Sequence, residues 1–137
     1  MPRVSGHWLR IGIGFAILLA GCDAADDRSA RWPYVHAAIL RPSCTSSNCH
    51  SKLGSQGGVD LSTPDAAYVL LTGTVCRAPD NPGAPPGNFV RPGHPESSQL
   101  MHLMRGDGGL IMPPDAPLPD AEIDIVERWI LEGATCD

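Results

Sequence analysis

The sequence predicts a small all-α fold of about four short helices joined by long loops, and three observations carry that prediction. Apolar residues recur at helical spacing in four separate stretches, each opened by a proline or a capping residue. No stretch alternates as a strand does, and no internal repeat is present. The 137 residues include 15 glycines and 14 prolines, so the chain between those stretches is loop. A single domain of this length has a limited core. With only two Phe, two Tyr and three Trp, it would gain from a prosthetic group or disulfides as added stabilisation.

Residues 1–21 precede the fold. Arg3 and Arg10 lead into an apolar run from Ile11 to Ala20, too short for a permanent membrane span and suited to an export signal. The run ends in Leu19-Ala20-Gly21-Cys22, which resembles the lipobox of bacterial lipoproteins. That resemblance implies a lipidated Cys22 as mature N-terminus, and hence a domain attached to a membrane without crossing it. An ordinary cleaved signal with Cys22 free or disulfide-bonded is the alternative. Asp23 resembles an inner-membrane retention signal used by some bacteria, which leaves inner or outer membrane open on the periplasmic side. Residues 22–31 form a polar tether without apolar periodicity.

The folded part, residues 32–137, begins near Trp32. Pro33 suits a first helical turn, Val35, Ala38 and Ile39 recur at helical spacing, and Pro42 predicts a stop at Arg41. Ser62-Thr63-Pro64-Asp65 supplies a cap, an N1 proline and an early acid for a second helix over Pro64 to Leu71. From Ala78 to Pro95 there are six prolines and three glycines, too many for a regular element. Pro95-Glu96 then opens a third helix with an apolar stripe of Leu100, Leu103 and Met104, ended by Gly106. The fourth follows Pro119. Asp120 and Glu122 sit at its positive end, Ile123, Val126, Trp129 and Ile130 cover one face, and Gly133 terminates it. Trp129 is expected to pack on Val35 and Ile39.

After Cys22 there are fifteen acidic and eight basic residues, a net charge of −7. That balance argues against nucleic acid or anionic lipid as partners and allows steering toward a basic docking surface on a redox protein, or simple solubility. Cysteine usage fits an exported protein. Cys44 and Cys49 share one motif, while Cys76 and Cys136 are left over as one possible disulfide; if they pair, closing that loop is worth roughly 3–4 kcal/mol in the chain-entropy account.

The run Cys44-Thr45-Ser46-Ser47-Asn48-Cys49-His50 carries the chemistry. A histidine directly after a cysteine, with a second cysteine upstream, is the half-signature of c-type haem attachment: two sulfurs make thioethers and the imidazole ligates iron. Here four residues separate the cysteines instead of two, and Ser51 stands where glycine is usual. Thr45-Ser46-Ser47-Asn48 must therefore bulge. A Cys44–Cys49 disulfide competes on the motif alone. Zinc is weaker, because adjacent Cys49 and His50 rarely share one tetrahedral ion and no second pair completes a set. Thiol exchange would want a shorter spacing and a βαβ pattern.

Downstream, Ile111-Met112-Pro113-Pro114 precedes Leu118-Pro119-Asp120-Ala121-Glu122-Ile123 and the closing helix, and Pro92-Gly93-His94-Pro95-Glu96 stands in the middle. In this order the chain resembles small class I-like cytochromes c across residues 32–137. The resemblance implies a cytochrome c-like fold around one covalent haem c, with Cys44 and Cys49 as thioether donors, His50 and Met112 as axial iron ligands, and one-electron transfer as the activity. Met101, Met104, His102, His94 and His36 are the competing ligands; Met104 suits packing and His94 a helix cap. Arg91, Arg41 and Lys52 are expected to be solvated charges rather than haem partners. No catalytic triad, phosphate loop or carboxylate pair accompanies the motif, so a carrier is expected rather than an enzyme. Two alternatives stay open: a haem-free lipoprotein stapled by Cys44–Cys49 and Cys76–Cys136, and a haem sensor or peroxidase with Met112 unligated.

Overall fold

The fold is given by a computed structural model, which describes residues 27–78 and 89–137. The expected export signal, the first half of the expected tether with Cys22, and the greater part of the proline-rich run lie outside the described residues. Within them the architecture is all-α. Four helices and two 3₁₀ turns are present, and the only β pairing among the described residues is an isolated bridge between Val75 and Ala78.

Helix α1 spans residues 32–44 in three pieces: an α turn at Trp32–Tyr34, a widened π segment at Val35–Leu40 and a closing α turn at Arg41–Cys44. The expected stop at Arg41 does not occur. The Arg41 N–H donates to the His36 carbonyl five residues back, so the ladder is already in the wider register where Pro42 arrives. Pro42 then sits in the first turn of the closing segment, where a missing N–H and the ring cost little. The consequence reaches the site, because Cys44 becomes the last residue of a helix rather than part of a loop.

Helix α2 is Pro64–Thr72, one residue longer than expected. The Thr63 hydroxyl accepts from the Ala66 N–H at 3.3 Å, and Gly73, at φ 74°, caps the other end. The third helix starts later than the sequence suggests: Pro95–Ser97 is a 3₁₀ turn, and α3 is Gln99–Arg105. Ser98 breaks the run. It is fully buried with extended backbone, and its hydroxyl accepts from the Arg91 N–H and donates to the His94 carbonyl, both at 2.9 Å. That tertiary bonding outweighs the local helix signal. Helix α4 is Asp120–Leu131.

Helix α4 lies across α1 and α3. Val35, Leu40, Val126 and Ile130 are completely buried where α1 and α4 form the core, and burial of each stabilises the fold by about 1.5–3 kcal/mol. Trp129 stacks on Trp32 with ring centroids 5.0 Å apart, beside the predicted neighbours Val35 and Ile39 in one core cluster. Its indole N–H donates to the Thr135 carbonyl at 2.8 Å, and Tyr68 on α2 donates to the Ala134 carbonyl at 2.9 Å. Cys76, just past α2, is disulfide-bonded to Cys136, with Cα atoms 5.7 Å apart. The C-terminal segment is thereby fastened twice, once to α2 and once to the chain just past it.

Candidate functional site

Because α1 ends at Cys44, the motif hangs from a rigid element. The Thr45 hydroxyl donates to the Arg41 carbonyl at 2.7 Å and closes the helix. The four-residue insert then folds on itself: the Cys49 N–H donates to the Ser46 carbonyl at 2.9 Å, and the His50 N–H donates to the Cys44 carbonyl at 3.0 Å. The second bond brings the two ends of the motif together across the insert. Ser46 also donates its hydroxyl to the Cys49 sulfur at 2.9 Å.

A second strand of loop covers this turn. A Cβ on Gly54 would meet the Cys49 carbonyl oxygen at 2.5 Å and the backbone of Asn48 and Ser47 at 2.9 Å, so only glycine lets the two backbones lie this close. Two residues on, the Gln56 N–H donates to the Cys49 carbonyl at 3.1 Å. The Gln56 carbonyl in turn lies 3.1 Å from Nδ1 of His50. A carbonyl accepts only, so Nδ1 carries the hydrogen and Nε2 presents a free lone pair. Carbonyl bonding of one ring nitrogen is how ligating histidines are commonly oriented. The Leu61 N–H donates to the His50 carbonyl at 2.8 Å, and buried His36 bonds the Leu61 carbonyl at 3.0 Å.

Met112 arrives from the far end of the chain, held by its N–H donating to the Leu103 carbonyl of α3 at 2.8 Å. With Pro113 and Pro114 it shares a narrow cleft with Ser43, Cys44, Cys49 and His50. Cys44, His50 and Met112 also border a larger cavity of about 390 Å³, walled chiefly by apolar side chains, Leu70, Phe89, Leu103 and Met104 among them. That volume falls in the range of cofactor pockets. Cys44 and Cys49 are free thiols. Burial, with a smaller contribution from Cys49, pushes the Cys44 thiol up to about 11.

The structure thus gathers Cys44, Cys49, His50 and Met112 at one place and sets Cys76 and Cys136 apart as a disulfide. Of the competing ligands, His36 is used in the core, His94 pairs with Glu96 at 3.2 Å on the surface, His102 lies 3.5 Å from Asp107, and Met101 is buried away from the cavity. Met104 alone among them borders it. Arg41, Lys52 and Arg91 do not line the cavity. Comparison with protein-family models, curated proteins and solved structures finds no match.

The residues gathered here are of the kinds that could hold a haem c. No three His, Cys, Asp or Glu side chains converge as ion ligands among the described residues. A haem brings its own four nitrogens and asks the protein for one imidazole, one opposing donor, two thiols and an apolar wall. The sequence left three contributors unseen: Gln56, Gly54 and the cavity wall. Gly54 had a visible signal, standing in a glycine-rich stretch just after His50. The Gln56 contribution is a backbone carbonyl and has none.

Proposed function

We propose that this chain is a c-type cytochrome with a cytochrome c-like fold, attached through Cys22 to the periplasmic face of a bacterial membrane and passing single electrons between partner proteins. One observation carries the reading: Cys44, His50 and Met112 border the same apolar cavity, although 67 residues lie between the first and the last. When bound there, haem c supplies reversible one-electron exchange at its iron.

The protein's own groups divide the remaining work. Cys44, the last residue of α1, and Cys49, at the end of the insert, would hold the group covalently. His50 offers Nε2 because Gln56 keeps the proton on Nδ1. Met112 offers a soft, neutral thioether, which favours ferrous iron and raises the potential relative to a second histidine. Its backbone bond to Leu103 fixes where that sulfur stands, and Pro113 and Pro114 restrict the loop on its other side. Leu70, Phe89 and Leu103 give the cavity apolar walls, which would lower the local dielectric around a group seated against them. The excess negative charge suits docking to a basic surface.

A haem-free protein stapled at the motif would need a Cys44–Cys49 bond, and these two are thiols where Cys76 and Cys136 are bonded. Among the described residues no helix is long and apolar enough to cross a membrane. The test is production in a host with cytochrome c maturation, followed by denaturation and extraction. Haem absorbance that stays with the polypeptide supports the proposal; a colourless chain rejects it.

A further inference from the structure

Four residues between the motif cysteines pose a mechanical problem, since a slack insert would let the second sulfur turn away from the cleft. The insert is folded instead. Ser46 and Cys49 are joined twice, once by the Cys49 N–H on the Ser46 carbonyl at 2.9 Å and once by the Ser46 hydroxyl on the Cys49 sulfur, also at 2.9 Å. Two nearby hydroxyls are engaged elsewhere: Thr45 donates to the Arg41 carbonyl and Ser51 to the Ser47 carbonyl.

We propose that Ser46 is a positioning residue for Cys49, holding its sulfur in one rotamer at the cleft beside Cys44, His50 and Met112 and so adapting the longer insert to attachment of both sulfurs. Its consequence for attachment rests on the haem reading above; the positioning is a property of the haem-free protein. In the attachment step the Cys49 S–H adds across a vinyl double bond. One S–C bond forms, the π bond is consumed, and the thiol hydrogen ends on the other vinyl carbon, with no oxidant or reductant required. The yield of that addition depends on how long the sulfur faces the cleft. A hydrogen bond of ordinary net strength holds one rotamer about fivefold over its alternatives.

Two measurements on the full chain test this, using Ser46→Ala and the hydroxyl-restoring Ser46→Thr. In haem-free protein, the Hα–Hβ couplings of Cys49 are expected to report one staggered rotamer in the wild type and in Ser46→Thr, and rotamer averaging in Ser46→Ala. In protein from a maturation-competent host, Ser46→Ala is expected to show an about fivefold higher ratio of chains with a free Cys49 thiol to chains with both thioethers, read by peptide mass and the pyridine haemochrome band. Ser46 is exposed, so neither change disturbs the core. Unchanged Cys49 couplings in Ser46→Ala overturn the proposal. Absence of haem from the wild type rejects the haem reading instead, and the couplings still decide the positioning.

Discussion

Replacing Gly54 with alanine places a methyl group where the backbone of the motif already lies. The new Cβ would stand 2.5 Å from the Cys49 carbonyl oxygen and 2.9 Å from Asn48 C and Ser47 O, against an ordinary contact of at least 3.4 Å. The two backbones must therefore separate by roughly 0.9 Å at the tightest point. All three neighbours are backbone, so no side chain can rotate aside. Overpacking of this kind costs about 1–3 kcal/mol, and the Gln56–Cys49 bond is strained with it. For a domain of about a hundred residues, that corresponds to a fall in Tm of roughly 4–12 °C. Thermal unfolding followed by far-UV circular dichroism measures it. Gly57 is the control: its φ of 65° suits asparagine, and no atom lies within 4 Å of its added Cβ, so Gly57→Asn should leave Tm nearly unchanged. A Gly54→Ala protein that melts within one degree of wild type would refute the close packing from which His50 is oriented.

Other expectations follow from the same structure. Opening the Cys76–Cys136 bridge by paired alanine substitutions releases a loop with a sequence separation of 60 and should cost about 4 kcal/mol of stability, measured by denaturant titration. In haem-free protein the raised Cys44 pKa gives a signed pH dependence. The unfolded chain loses this proton near the ordinary thiol value and the folded one only near 11, so the unfolded chain binds fewer protons between them. Stability is then fully present below pH 9 and falls by about 1.4 kcal/mol per unit as pH rises toward 11. Cys44→Ala should flatten that slope. In haem-loaded protein, Met112→Ala should lower the reduction potential and open the iron to carbon monoxide; an unchanged spectrum would transfer the ligand role to Met104, the other methionine on the cavity.

Elements whose signals are local were legible in the sequence. Helix α2 has its cap, its N1 proline and its terminating glycine within a dozen residues, and α4 has acids at one end, a glycine at the other and an apolar stripe between. Where the sequence misled, a proline was involved and the deciding bond was elsewhere. Pro42 signals a stop, yet α1 passes it because the upstream turns have widened to the π register. Pro95 signals a start, yet Ser98 is drawn out of helical geometry by Arg91 and His94. The site divides in the same way. Cys49 and His50 are adjacent in the chain and visible at once, whereas the Met112 position is fixed by Leu103 and the His50 tautomer by a backbone carbonyl, neither of which a side-chain pattern encodes. The cavity is likewise a tertiary feature, since Leu70 of α2, Leu103 of α3 and Phe89 between them in the chain all border it.

Covalent attachment at the motif tests the central claim most directly. Trypsin does not cut the Arg41–Pro42 bond, so cleavage after Arg31 and Lys52 yields one peptide, residues 32–52, that contains Cys44, Cys49 and His50 together. The mass of that peptide should equal the sequence plus one haem, with no thiol left to alkylate. A peptide without the haem mass, its Cys44 and Cys49 either free or joined to each other after expression with a working maturation system, would contradict the account.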